Sequence, residues 1–280
     1  MDENRKSYSL KAPGSSGSPV HLPGRGPFPR VDDHLVVPEL TRDEMIGGRR
    51  IEASPAHPPH AMQHTELDYV VRAHVAPGYR TAADLLTRHD HDSDFATDVC
   101  VFKDGTDPAT GARHLEEIAF EVVSEQNQGY VSEKALRMHR RGVRRIFTVW
   151  IKGQRVCEWS PESRSWSLLD ESLRIEDPCL VKPLAVAALL DAAAADNAVV
   201  EALAAKGNPA LKEREAAVEA KSRAQFTAEA ILTVLEARRV AVSEAQRQEI
   251  LGCRDLDQLN RWLRRASLAT QAGEIMTELG

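Results

Sequence analysis

The chain lacks any close pair of cysteines. Its four, Cys100, Cys157, Cys179 and Cys253, are scattered, with no C-x-x-C spacing. That argues against a zinc ribbon or a disulfide framework and fits a reducing, cytoplasmic setting. Excess positive charge is also missing. The formal net charge is −6, so nothing draws the whole molecule to nucleic acid or to an acidic membrane. Any nucleic-acid role must rest on a local basic patch. No long hydrophobic run is present: the most apolar, "LAVAALLDAAAA" (184–195), is too short to span a bilayer and carries Asp191. The N-terminus has no continuous apolar segment of the signal-peptide kind. No internal repeat is evident. What is there is ordinary for a globular protein: 280 residues, 42% hydrophobic and 28% charged, enough for one medium domain and an appendage.

Composition divides the chain. Residues 1–36, with "KAPGSSGSPVHLPGRGPFPR", are rich in Pro, Gly and Ser. They cannot bury enough apolar surface to offset their ordering entropy, so a disordered tail is expected, with order beginning near Val36. Residues 37–183 carry strand and helix signals mixed. Residues 184–280 have helical periodicity throughout, with helices expected at about 184–205, 209–239, 243–251 and 255–268, and Pro209 suits a helix start. This predicts an α/β domain followed by an all-helical extension.

Within the α/β part, "DEMI" and "RRIE" flank Gly47 and Gly48, a two-residue loop suited to a primed hairpin turn. The competing reading, a capping box "TRDE" opening a helix at Thr41, conflicts with the Gly-Gly pair. Leu67, Val70, Val71 and His74 follow the i, i+3, i+4, i+7 pattern of a helix over 64–75. "FATDVCVF" (95–102) and "IAFEVVS" (118–124) read as strands. A helix over 132–141 ends at Gly142, with Val131, Ala135 and Met138 as its apolar stripe. "RRIFTVWI", "RVCEWS" and "SWSLLD" then make an antiparallel meander.

Two charges stand out because of where they fall. Asp98 and Glu121 each sit in a strand otherwise made of Val, Phe, Ile and Ala. A carboxylate is costly to bury unless something pairs with it. If the strands are neighbours, two carboxylates converge, and they repel each other unless a cation lies between. Mg²⁺ takes carboxylate oxygens and keeps several waters, one of which can attack a phosphodiester. Lys134, on the border of the helix stripe, is placed to stabilise a phosphate or orient that water.

These residues, in this order, resemble a known family. Glu44-Met-Ile-Gly-Gly48, "SDFATDVCVF", "AFEVVS", and Lys134 with Gly142 and Val143 following it are similar to the E-L-I-x-G, P-D-V, E-V-x-S and K-x7-G-V motifs of the Uma2-type domain (DUF820). That family is a bacterial branch of the PD-(D/E)xK nuclease superfamily, and the resemblance covers residues 44–169. It implies a restriction-endonuclease-like mixed sheet core flanked by helices. It implies metal-dependent cleavage of nucleic acid, DNA favoured, with Mg²⁺ (or Mn²⁺) held by Asp98 and Glu121. Glu44 would be an accessory acid. Val123 stands at the strand position where the lysine usually lies, so Lys134 would take that role from the helix.

Blander readings compete. Glu121 could pair with a buried arginine such as Arg144. Asp98 could cap a turn, Glu44 could be a solvent-facing hairpin residue, and Lys134 could be a solvated helix lysine. "RHDHDSD" (88–94) is expected to be a solvated loop; His57, His60 and His64, around a Pro-rich connector, could reach substrate phosphate, with a surface role the better expectation. The run of Arg137, Arg140, Arg141 and Arg144 is either a phosphate-binding patch or a solvated helix end whose cations favour the dipole. A second class of function is a catalytically silent fold that binds nucleic acid or protein. In that reading the helical region 184–280 provides the interaction or homo-oligomerisation surface.

Overall fold

The computed structural model describes residues 28–37, 43–52 and 57–276. Most of the tail expected to be disordered, residues 1–27, lies outside them, as does Thr41. Residues 28–37 are not a free strap. Val31 is buried, its carbonyl accepts the Arg88 N–H at 2.9 Å, and the Asp94 carboxylate accepts the Leu35 N–H at 2.6 Å. Ordered structure therefore begins before Val36, because a polar side chain from the sheet supplies the partners that a lone Pro/Gly-rich segment lacks.

The hairpin forms at Gly47 and Gly48 as its turn chemistry requires. Strand β1 (Glu44–Ile46) pairs antiparallel with β2 (Arg49–Ile51), and both glycines have left-handed φ, 59° and 71°. Helix α1 (Pro58–His74) starts six residues earlier than the periodicity suggested. Its proline-bearing first turn has no N–H to waste, and its expected stripe, Leu67, Val70, Val71 and His74, is buried.

Next come β3 (Tyr79–Asp90), β4 (Ser93–Lys103), β5 (Glu116–Val123), α2 (Gln128–Arg141), β6 (Arg145–Trp150), β7 (Arg155–Ser160) and β8 (Ser165–Leu169). Among the described residues, β1 to β8 form one mixed sheet. Its antiparallel ladder is interrupted once: β5 and β6 run parallel. Parallel neighbours need a crossover, and α2 supplies it. The Asn127 side chain caps α2 by accepting the Tyr130 N–H, and Gly142, φ 130°, closes it. Sequence reasoning missed β3 and placed "RHDHDSD" in a solvated loop. That segment is instead the tip of the long β3–β4 hairpin, and His89 is buried, stacked on Phe95 at 4.1 Å.

Two apolar layers sandwich the sheet. On one face Val99, Val101, Ile118, Phe120, Phe147 and Val149 pack with α1. On the other, Phe95, Ala119 and Ile146 pack with Ala135 and Met138 of α2. After β9 (Arg174–Ile175) and β10 (Leu184–Ala185), a 3₁₀ turn at Val186–Leu189 leads to α3 (Ala192–Ala205). Leu184, Leu189, Val199 and Ala202 belong to the same core as α1. The compact unit therefore runs to Lys206, past the boundary at 183 drawn from the change in composition. The second unit, from Gly207, holds α4 (Pro209–Ala237), α5 (Glu244–Gly252), α6 (Leu256–Ala266) and α7 (Gly273–Met276) around Ile231, Leu235, Ile250, Leu259 and Trp262. The architecture is thus a mixed α/β sheet flanked by helices, followed by a helical C-terminal region. No helix of the described residues is long and apolar enough to cross a membrane.

Candidate metal centre in a gap of the sheet

One edge of β4 is shared by two strands. β1 meets it at Asp94, and β5 meets it from Val99 onward. Between them the backbone of Ala96 has no strand partner on that edge, and side chains take over. The Glu44 carboxylate accepts the Ala96 N–H at 2.9 Å, and the Ala96 carbonyl accepts from Lys134 Nζ at 2.8 Å. A buried backbone group left unpaired costs about 1–3 kcal/mol, so this substitution helps to hold Glu44 and Lys134 in place.

The β4–β5 register pairs Val99 with Phe120. Asp98 and Glu121 are therefore the next residues on the two strands beyond that last pair. Here the strands part, and Asp98 Oδ2 accepts the Val122 N–H at 2.6 Å in place of a ladder bond. Glu121 is buried and accepts from Lys134 Nζ at 2.9 Å through Oε2. Its Oε1 is sealed from solvent with no protein partner. Lys134 occupies a position in the buried stripe of α2, 5.1 Å above the Phe95 ring, and lies 3.8 Å from Glu44. The Tyr130 hydroxyl donates to Glu44 Oε2 at 3.0 Å.

The charges are unevenly matched: two carboxylates, Glu121 and Glu44, lie within 4 Å of the one ammonium, and Asp98 adds its charge from farther away. Burial pushes Glu121 up, Lys134 pulls it back and Asp98 pushes it up again, leaving it near 8. Burial raises Asp98 as well. Burial works against the charge on Lys134, but Glu121, Glu44, Tyr130 and Asp98 outweigh it and keep the ammonium protonated above its ordinary range. A set of hard oxygen donors, one of them buried and unbonded, with too few protein cations, is the kind of surrounding a divalent ion takes.

Glu44, Asp98, Glu121 and Lys134 thus come together from β1, β4, β5 and α2. The arginines do not form one basic surface. Arg137 is held by Asp92 and Glu133. Arg141 is buried against Phe28 and donates to the Pro29 carbonyl. Arg144 pairs with Glu117 and Asp177 rather than Glu121. Arg140 alone of the four is exposed with no pairing recorded among the described residues. The solvated-lysine reading of Lys134 gives way to a buried ion pair.

Sequence reasoning overlooked Asp84 and placed His64 at the surface. His64, expected at the surface, has a side chain only 15% exposed, with Nε2 3.5 Å from Asp84 Oδ1. The Asp84 carboxylate, with help from Asp98 and Asp68, raises the His64 pKa to about 9 against the effect of burial. Its spacing, one turn before the buried Leu67, was the available signal.

No family model matches the chain, and no curated protein matches it. Among solved structures, a candidate nuclease belonging to DUF820 from Anabaena variabilis is similar over 53% of this chain and 89% of that one, at 18% identity and a TM-score of 0.44. DUF820 is the family whose motif order this sequence resembles.

Proposed function

We propose that the α/β unit is a metal-dependent endonuclease that hydrolyses phosphodiester bonds of nucleic acid, DNA favoured. The observation that carries this reading is the buried, unbonded Oε1 of Glu121, opposite Asp98 and beside a single ammonium. Bound there, Mg²⁺ or Mn²⁺ would supply an acidified water and neutralise charge developing on the phosphate. Asp98 and Glu121 would hold the ion. The Val122 N–H fixes the direction of the Asp98 carboxylate. Lys134 works against the burial that favours the protonated Glu121 and would orient its carboxylate, and its positive charge would favour the anionic transition state. Glu44, pinned by Tyr130 and Ala96, positions Lys134. The test is cleavage of plasmid DNA and of single-stranded RNA with Mg²⁺ or Mn²⁺, with Asp98→Asn and Glu121→Gln alongside. Cleavage that survives both substitutions sinks the assignment.

One observation favours a second reading. Lys134 is only 5% exposed and donates to Ala96 and Glu121, which is what a purely structural ion pair does. A silent fold acting as a binding module, with the helical region 207–280 contacting a partner or a second copy, would look the same at this point. Titration calorimetry with Mn²⁺ separates the two. Metal binding lost in Asp98→Asn supports the hydrolase, and its absence from the native chain supports the silent module.

A further inference from the structure

Asp98 has a second carboxylate neighbour. The β3–β4 register pairs Ala83 with Val99 and Leu85 with Thr97, so Asp84 lies opposite Asp98, as Glu121 does on the other side. His64 of α1 completes a triplet. One ligand atom from each of His64, Asp84 and Asp98 lies within 4.8 Å of the others. The imidazole is aimed. Its Nε2 is sealed from solvent and lies 3.5 Å from Asp84 Oδ1, while Nδ1 faces Asp68 Oδ2 at 3.7 Å. A carboxylate behind the far ring nitrogen is the arrangement that fixes the orientation of a metal-binding histidine.

We propose that His64, Asp84 and Asp98 form a second cation site that takes a first-row transition ion, Zn²⁺ or Mn²⁺, in preference to Mg²⁺. The selectivity follows from the donors. Imidazole nitrogen suits Zn²⁺ and its neighbours, whereas Mg²⁺ keeps to oxygen and water. The negative charges of Asp84 and Asp98 beside the imidazole draw a cation to the same point. Asp98 bridges this site and the Glu121 site. That bridging clause rests on the hydrolase reading; the triplet itself does not.

The experiment is titration calorimetry of the full chain with ZnCl₂ and separately with MgCl₂, comparing the native protein with His64→Gln, Asp84→Asn and Glu121→Gln. The side chain of Asp84 is 79% exposed, so Asp84→Asn keeps the fold even if His64→Gln does not, and circular dichroism checks both. Zn²⁺ affinity should fall at least about tenfold in His64→Gln and in Asp84→Asn, with Mg²⁺ affinity unchanged. Glu121→Gln should weaken Mg²⁺ and leave Zn²⁺ in place. Zn²⁺ affinity unaltered by both triplet substitutions overturns the proposal, as does a loss of Mg²⁺ equal to that of Zn²⁺ in either. Because the readout is binding, an absence of DNA cleavage would count against the hydrolase and leave the second site standing.

Discussion

Strand β5 buries two glutamates five residues apart, and they live in opposite surroundings. Glu116 accepts from the Thr87 hydroxyl and pairs with Arg113 at 3.2 Å. Arg141 is close by, so buried that its pKa falls to about 10, with Glu116 the main charge opposing that fall. Glu121 has one ammonium and shares it with Asp98 and Glu44. Each glutamate leaves one oxygen without a hydrogen bond. The first sits among surplus cations and is complete as protein. The second sits among surplus anions and is complete only with an added positive charge. Burial of a carboxylate is therefore weak evidence of function, whereas the sign of its surroundings is strong evidence.

The contrast can be broken by substitution. The largest effect is expected on chemistry. A metal contributes several kcal/mol to charge stabilisation, so Asp98→Asn should lower DNA cleavage by on the order of 10²–10³-fold. Glu116→Gln should leave the rate within about threefold in the same gel assay, since only large energy differences move a rate by decades. Stability should rank them the other way. Removing one partner of a buried pair costs about 3 kcal/mol, the expectation for Glu116→Ala in urea denaturation. Glu121→Gln should cost under about 1 kcal/mol, because Glu44 remains 3.8 Å from Lys134 and a neutral side chain in place of Glu121 relieves its repulsion with Asp98.

The pH dependence sharpens the comparison. Glu121 titrates at 4.5 in an unfolded chain and near 8 when folded. The folded state binds the extra proton between those values, so stability without metal should fall as pH rises through that window. Glu121→Gln should flatten the slope, and millimolar Mg²⁺ should restore stability at pH 8; a slope unchanged in the variant assigns it to other groups. Asp177 gives the opposite sign. Burial pushes it up, but Arg144, gripping both oxygens at 2.7 and 2.8 Å, brings it down to about 2. Its contribution is present above 3.8 and lost as pH falls through 2. Arg144 is half-exposed, so the effect of Arg144→Ala is smaller, about 1 kcal/mol, and is confined to neutral pH and the upper part of the acid limb.

Much of this was legible in the sequence. The Gly47-Gly48 hairpin follows from turn chemistry, and Asp98 and Glu121 were conspicuous because local strand context is apolar. Three things were hidden. Strand β3 has no clean alternation through Ala82, Ala83, Asp84 and Leu85, and Asp84 has a left-handed φ of 49°. A strand with such a kink has no period to detect, so Asp84 could not be placed opposite Asp98. The burial of His89 and the anchoring of Val31 depend on partners far along the chain. Helix periodicity over 192–205 was visible, but not which core it would join, because a period names a face and not its neighbour.

Lys134 stands where an intra-strand lysine would be expected to reach, yet it rides on α2 while its counter-charges ride on the sheet. Peeling the helix away would drag an ammonium out of its ion pair and strand Glu121, at a cost of several kcal/mol. The lysine thus acts as an electrostatic latch at the middle of a crossover helix whose ends are held by the Asn127 and Gly142 caps. Amide exchange at Val131, Ala135 and Met138 should proceed only by global unfolding in the native chain and by local opening in Lys134→Met. The residue that serves the chemistry would then also be the one that times the detachment of the helix.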